Sequence, residues 1–233
     1  MKILAFDFGA SSGRAIIGHF DGKKIELEEI HRFLNEPVEV NGALYWDILR
    51  LYHELKQGII KADQAGGVDS MGIDTWGVDF GLIGKDGQLL ANPFHYRSSH
   101  TENAVAMLEE VLSKDELFAE TGLAFQKFNT LCQLVVMQKN DNLALKYADC
   151  ALFIPDLFVY FLTGKKTCEF SIASTSQLIR PGKNEFSDKI FKAYGLKNLF
   201  PAITSPGTVV GNVTKEVADE LDLKHELKVI SSL

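Results

Sequence analysis

Apolar and polar positions along the chain fall into short blocks. Ile3-Leu4-Ala5-Phe6 and Ala15-Ile16-Ile17 are apolar runs on either side of the small polar stretch Gly9-Ala10-Ser11-Ser12-Gly13. Runs of this length bounded by turn residues predict strands, and their close succession predicts a β-hairpin. Asp21-Gly22 is a hairpin turn signal, after which a third strand is predicted from Lys24 to about Leu34, with Ile25, Leu27 and Ile30 inward. Beyond Asn41-Gly42 the period changes. Ile48, Leu51, Tyr52, Leu55 and Ile59 recur at helical spacing, with Asp47 as N-cap and Gly66-Gly67 as the stop. Val68 to Ile73 reads as a strand again. Strand, strand, strand, helix, strand predicts an α/β domain with a mixed central sheet flanked by helices.

The second half is predicted to be mostly helical. A helix is expected from Thr101 to about Leu112, and Ser113-Lys114-Asp115-Glu116 is a capping box for the next one, which Thr121-Gly122 ends. Thr130 with Gln133 has the same spacing and predicts a second capping box, opening a helix to about Lys139. Ala151 to Ile154 is a short apolar run, Pro155 suits the first turn of a helix, and Gly164 suits its end. Residues 165–186 form the longest irregular stretch, partly β. Helices are expected from Ser187 to Tyr194 and from Thr214 to about Leu221, and a strand begins at Lys228.

Composition narrows the class. The chain has 233 residues, enough for one large domain or two small ones, and a net charge of −7. No dense Lys/Arg cluster stands out, which excludes a nucleic-acid backbone as partner. Three cysteines, Cys132, Cys150 and Cys168, are widely spaced and odd in number. They make neither a disulfide framework nor a metal-binding pair, and suit buried thiols in a reducing compartment. The apolar runs are too short to span a membrane, and Met1-Lys2 leads into a strand with no signal peptide. A cytoplasmic location is expected.

Candidate chemistry lies at two turns. In the first, Gly9 and Gly13 are expected to permit φ > 0 and close approach, and backbone N–H groups of such a turn can cradle an anion. Asp7 ends the strand before it, where a carboxylate suits Mg²⁺, a cation that keeps several waters and bridges to phosphates. By residue type alone the stretch is equally an ordinary polar hairpin turn. The second is Asp74-Thr75-Trp76-Gly77-Val78-Asp79-Phe80. Aromatic faces pack on sugar C–H groups, carboxylates accept from hydroxyls, and Gly77 admits a ligand to the backbone. A core tryptophan beside surface carboxylates is the alternative.

Asp7 to Arg14 resembles the first phosphate loop of the sugar-kinase, heat-shock-protein and actin superfamily, and Ser11-Ser12-Gly13-Arg14 in that frame resembles the FGGY carbohydrate kinases. Three stretches extend the likeness. They are Gly72 to Phe80, Asn129-Thr130-Leu131-Cys132-Gln133-Leu134 after a Phe-rich loop, and Pro155 to Gly164, with the Ser/Thr-rich Ala173 to Leu178 expected to be structural. The resemblance implies a ribonuclease-H-like fold of the actin/hexokinase/heat-shock-protein superfamily and an ATP-dependent, Mg²⁺-assisted sugar kinase. It implies ATP phosphates at Gly9, Ala10, Ser11, Ser12, Gly13 and Arg14, metal at Asp7, and sugar at Trp76, Gly77, Asp79, Arg97 and Phe125. The stretch from Gly72 to Phe80 points to the branch that phosphorylates L-rhamnulose to its 1-phosphate. Another ketose, xylulose or fuculose, or a non-catalytic sugar-binding domain, are the alternatives. Ser98 and His100 depart from that branch, which carries an acidic residue and an arginine there. His100 by itself reads as a surface histidine.

The family's catalytic base is an aspartate shortly after the strand that begins here at Lys228, and no such residue occurs up to Leu233. The expectation is therefore an N-terminal, sugar-binding domain over residues 1–233. The base would lie downstream of Leu233, with a C-terminal nucleotide-binding domain outside this chain. Alone it would be inactive and prone to self-association through an exposed interdomain face.

Overall fold

A computed structural model of the chain describes residues 1–231. Ser232 and Leu233, and the catalytic base expected past them, lie outside the described residues. The chain opens with strands β1 (Lys2–Phe8), β2 (Ser12–Phe20), β3 (Ile25–Leu34), β4 (Val38–Val40) and β5 (Ala43–Tyr45), then helix α1 (Ile48–Gln64), β6 (Ser70–Asp74) and β7 (Phe80–Ile83). Next come α2 (Ala104–Glu109), α3 (Lys114–Thr121), α4 (Thr130–Lys139), α5 (Leu143–Tyr147), β8 (Cys150–Phe153) and α6 (Ile154–Thr163). The remainder is β9 (Cys168–Glu169), α7 (Phe170–Ala173), α8 (Asp188–Ala193), β10 (Ile203–Thr204), β11 (Val209–Asn212), α9 (Lys215–Glu220) and β12 (Lys228–Ile230).

Six strands form the central sheet in the order β11-β12-β6-β1-β2-β3. It is mixed. β1 pairs antiparallel with β2 and β2 with β3, whereas β6 runs parallel to both β1 and β12. Side-chain alternation along β1 places Leu4, Phe6 and Phe8 in the core under α1 and α6. Gly58 in the middle of α1 makes that contact possible. A Cβ there would stand 2.6 Å from the Phe6 ring, so only glycine lets the helix lie down on β1. That gain offsets the ~1 kcal/mol that glycine costs inside a helix. The opposite face of the sheet carries Ala5, Ile25 and Leu27, all exposed. Ile25 and Leu27, expected inward, are 61% and 72% exposed. β3 is an edge strand, and its Leu27 pairs with Gly18 on the face that α1 does not cover. Ile30 is partly buried against the core, as expected.

Many local signals act as the sequence predicts. Asp47 accepts from Arg50 N at 3.2 Å at the start of α1, and Ser113 with Glu116 forms a reciprocal capping box. Pro155 occupies the first turn of α6, and Gly164 ends it in the left-handed conformation. The helix expected from Thr101 to Leu112 is shorter, because Ser99–Thr101 is a 3₁₀ turn and α2 begins at Ala104. A second hydrophobic cluster, around β7, β8 and α4, sits beside the first and supports the turn between β6 and β7.

Candidate functional site

β1 and β6, parallel neighbours, reach the same edge of the sheet with Asp7 opposite Asp74. After Asp7 the chain makes the turn into β2. Gly9 N donates to Ser12 O at 2.9 Å, and Asn35 braces the turn from β3, with Nδ2 donating to Gly9 O (2.7 Å) and its N–H to Ser11 O (3.0 Å). Neither Gly9 nor Gly13 has a positive φ, contrary to expectation. Their smallness is what matters. A Cβ on Gly13 would lie 2.2 Å from Phe33 Cζ, and one on Gly9 3.0 Å from Ser12 O. Arg14, directly across the hairpin from Asp7, donates to its Oδ2 at 2.7 and 2.9 Å. Both side chains are close to half exposed.

The turn after β6 is built on a strained residue. Asp79 N donates to Gly77 O at 2.9 Å, which makes Val78 the middle residue of a three-residue turn with φ +67°. A β-branched residue there is an outlier that costs on the order of 1–3 kcal/mol, so its surroundings must hold it. They do. Val78 N donates to Thr175 Oγ1 (2.9 Å), and Thr130 Oγ1 donates to Val78 O (2.7 Å). Gly77 lies against Thr175, where a Cβ would come within 2.9 Å. The predicted capping box at Thr130 and Gln133 is therefore absent. Asn129 is the N-cap of α4, and both side chains turn to the Val78–Asp79 segment instead.

Asp79 is fully buried. Its Oδ2 accepts from Trp46 Nε1 (2.6 Å), Trp76 Nε1 (3.0 Å) and Tyr96 N (3.1 Å), and Oδ1 from Gln133 Nε2 (2.8 Å). Burial pushes its carboxyl up to about 7, although four donors favour the ionised form. All four donors are the protein's own, and through two of them the carboxylate holds the Trp46 and Trp76 indoles. Trp46 lies between Trp76 and His95, with ring centroids 3.7 and 3.9 Å away. His95 accepts from Arg97 N through Nδ1 (2.9 Å), and burial, with the Arg97 charge, lowers its pKa to about 4. It is neutral at pH 7.

Arg97 is exposed, with its guanidinium 5.1 Å from the Tyr96 ring centroid. Phe128 meets the same ring edge-on at 5.9 Å. Phe125 packs on the second core, with Lys114 Nζ 6.0 Å from its ring. His100 is not a surface histidine. It stacks on Phe94 at 4.1 Å, its ring nitrogens are buried without a partner among the described residues, and burial lowers its pKa to about 4. Ser98 Oγ accepts from Leu44 N (3.1 Å) and ties this loop to β5.

A cleft of about 200 Å³ opens beside Gly77, lined among others by Asp74, Thr75, Glu169, Thr175 and Ser231. Partial desolvation, together with the charges of Asp7 and Glu169, raises the Asp74 pKa. Glu169 caps α7, accepting from Ser171 N (2.8 Å) and Ile172 N (3.0 Å). The structure thus brings Asp7, the Gly9–Arg14 turn, Trp76, Gly77 and Asp79 to one end of the sheet. Trp46, His95, Thr130, Gln133 and Thr175 were not predicted as site residues. Gln133 had a signal, a lone amide in the apolar run Leu131 to Met137 that needs a buried partner. No helix among the described residues is long and apolar enough to cross a membrane, and no group of three or more His, Cys, Asp or Glu among them is arranged to hold a metal.

The chain resembles known proteins over nearly its whole length. A rhamnulokinase of Bacteroides thetaiotaomicron is 43% identical over 218 residues, covering 93% of this chain and 45% of that protein. One from Oceanobacillus iheyensis is 40% identical over 223 residues, covering 94% and 47%. The chain therefore spans about half the length of the curated relatives it matches. Among solved structures, a ligand-bound xylulose kinase from Lactobacillus acidophilus superposes with a TM-score of 0.88 over 99% of this chain and 47% of that one. At 15% identity that likeness establishes the fold. Residues 2–233 match the N-terminal domain of the FGGY family of carbohydrate kinases, and with identities of this size over nearly its whole length the chain belongs to that family.

Proposed function

We propose that this chain forms the sugar-binding, N-terminal half of an ATP-dependent kinase that converts L-rhamnulose to L-rhamnulose 1-phosphate. One observation carries the reading. β1 and β6 end side by side, one leading into the turn suited to phosphate and the other into the indole-bearing turn suited to sugar. Phosphoryl transfer needs donor and acceptor held in line, and two strand ends about one strand spacing apart meet that need. The choice of sugar rests on relatives named rhamnulokinase, at 36–43% identity.

In this reading the backbone from Gly9 to Arg14 holds the ATP phosphates, and Trp76, Gly77, Arg97 and Phe125 line the ketose pocket, with Asp79 orienting Trp76. A divalent cation suits the donor set. Both bonds from Arg14 go to Oδ2, so Asp7 still offers Oδ1, and Asp74 stands opposite it at the end of β6; oxygen donors of this kind suit Mg²⁺. When bound, Mg²⁺ neutralises charge that develops on the transferred phosphoryl group. Arg14 pairs with Asp7 Oδ2 and holds the carboxylate at the start of the turn. The proton of the ketose hydroxyl is taken by a base outside the described residues, and adenosine is held by a C-terminal domain of the whole protein. Residues 1–233 alone therefore turn over no substrate.

The test is Asp7→Asn in the whole protein. Turnover with L-rhamnulose, ATP and Mg²⁺ should fall by at least about a hundredfold, a loss typical of removing one electrostatic stabiliser, with melting unchanged. Unchanged turnover would refute the role of Asp7. Absence of ketose phosphorylation by the unmodified whole protein would refute the function.

A further inference from the structure

The turn that carries Trp76 and Asp79 does not hold itself in shape. Val78 at φ +67° is a conformation that valine rarely adopts, so it persists only under constraint from elsewhere. The constraint on its amide comes from one side chain. Thr175 Oγ1 donates its proton to Ile172 O (2.7 Å), which leaves a lone pair aimed at Val78 N (2.9 Å). Thr175 also fills the space that a side chain at position 77 would need. It comes from the Ser/Thr-rich segment after α7, 97 residues away in sequence. From the other side, Thr130 on α4 clamps the Val78 carbonyl.

We propose that Thr175 is a positioning residue for the ketose site: its hydroxyl holds the left-handed Val78 peptide, and through it sets the Trp76 indole and the Asp79 carboxylate that together carry the Trp46–Trp76 stack. This rests on the reading that Trp76 and Gly77 line that site. Without the hydroxyl, Val78 N–H is buried and unpartnered, and relaxing to an ordinary φ removes the penalty. That relaxation moves Asp79 N off Gly77 O and turns the carboxylate that both indoles bind.

The chain holds two tryptophans, and they are this stacked pair, 3.7 Å apart. Near-ultraviolet circular dichroism of the 233-residue chain therefore reports on the stack alone among indoles. Thr175→Val keeps the shape and removes the hydroxyl, while Thr175→Ser keeps the hydroxyl. The valine variant should lose most of the stack signal with far-ultraviolet dichroism unchanged, and serine should restore it. In the whole protein, Thr175→Val should raise KM for L-rhamnulose about tenfold, the effect of one lost buried hydrogen bond, and leave KM for ATP unchanged. Should the valine variant fail to fold, Thr130→Val removes the other clamp and is read by the same two assays. A retained stack signal, or a lost one with normal ketose KM, overturns the inference and leaves the kinase reading intact. An unmodified whole protein that neither binds nor phosphorylates a ketose overturns that reading, and the inference with it.

Discussion

Asp79 ties the stability of the chain to pH. Its folded pKa is about 7 against 3.8 for an ordinary aspartate. Between those values the folded chain keeps a proton that the unfolded chain has released. Stability from this group therefore falls as pH rises from about 4 to about 7 and is flat on either side. About three units at 1.36 kcal/mol each make roughly 4 kcal/mol in all. Asp156, also buried and pushed up to about 7, has the same sign, so wild type alone does not isolate Asp79. Asp79→Asn does, because Asp156 is common to both chains and cancels in the difference. The asparagine is not free of cost. All four partners of Asp79 donate, and an amide NH₂ would face one of them, a pH-independent penalty of about 1–3 kcal/mol. The expected outcome is that the stability of wild type minus that of Asp79→Asn falls by about 3 kcal/mol between pH 5 and pH 8. Unfolding in urea, followed at the two tryptophans, measures it. A difference constant to within about 0.5 kcal/mol, a typical margin for independent effects, would mean that Asp79 titrates like an exposed carboxylate. The argument from burial would then fail.

Gly13→Ala drives a methyl group to within 2.2 Å of Phe33, which is buried and packed edge-on to Phe8. It should cost at least about 2 kcal/mol by overpacking, whereas Gly18→Ala, whose Cβ would have 3.8 Å of clearance, should cost about 1 kcal/mol less or none. Equal midpoints in urea would contradict the packing. Cys132, Cys150 and Cys168 are free and buried, and burial raises each thiol, Cys132 to about 12. A thiol reagent should titrate none of them in the native chain and all three in guanidinium, and fast labelling of a native thiol would refute the burial.

Hairpins, caps and stops were legible from the sequence because their causes are local. The β1–β2 hairpin, the Asp47 cap, the Ser113 box, Pro155 and Gly164 each depend on residues within a few positions of one another. The two turns that bear the candidate chemistry were visible for the same reason, as unusual clusters of small, acidic and aromatic residues. How those turns are held was not. Thr130 and Gln133 have the spacing of a capping box, yet they bind Val78 and Asp79, 52 and 54 residues away. Thr175 reads as part of a structural turn, yet it clamps Val78 N. Gly13 looks like a residue chosen for positive φ, and is required instead by the Phe33 ring. Ile25 and Leu27 alternate as core residues would, but β3 lies at the edge of the sheet, and no alternation tells a strand which of its faces a helix will cover. Periodicity and capping report on contacts within one element. Long-range hydrogen bonds and close packing join groups that only the folded chain brings together, so they leave no spacing to read.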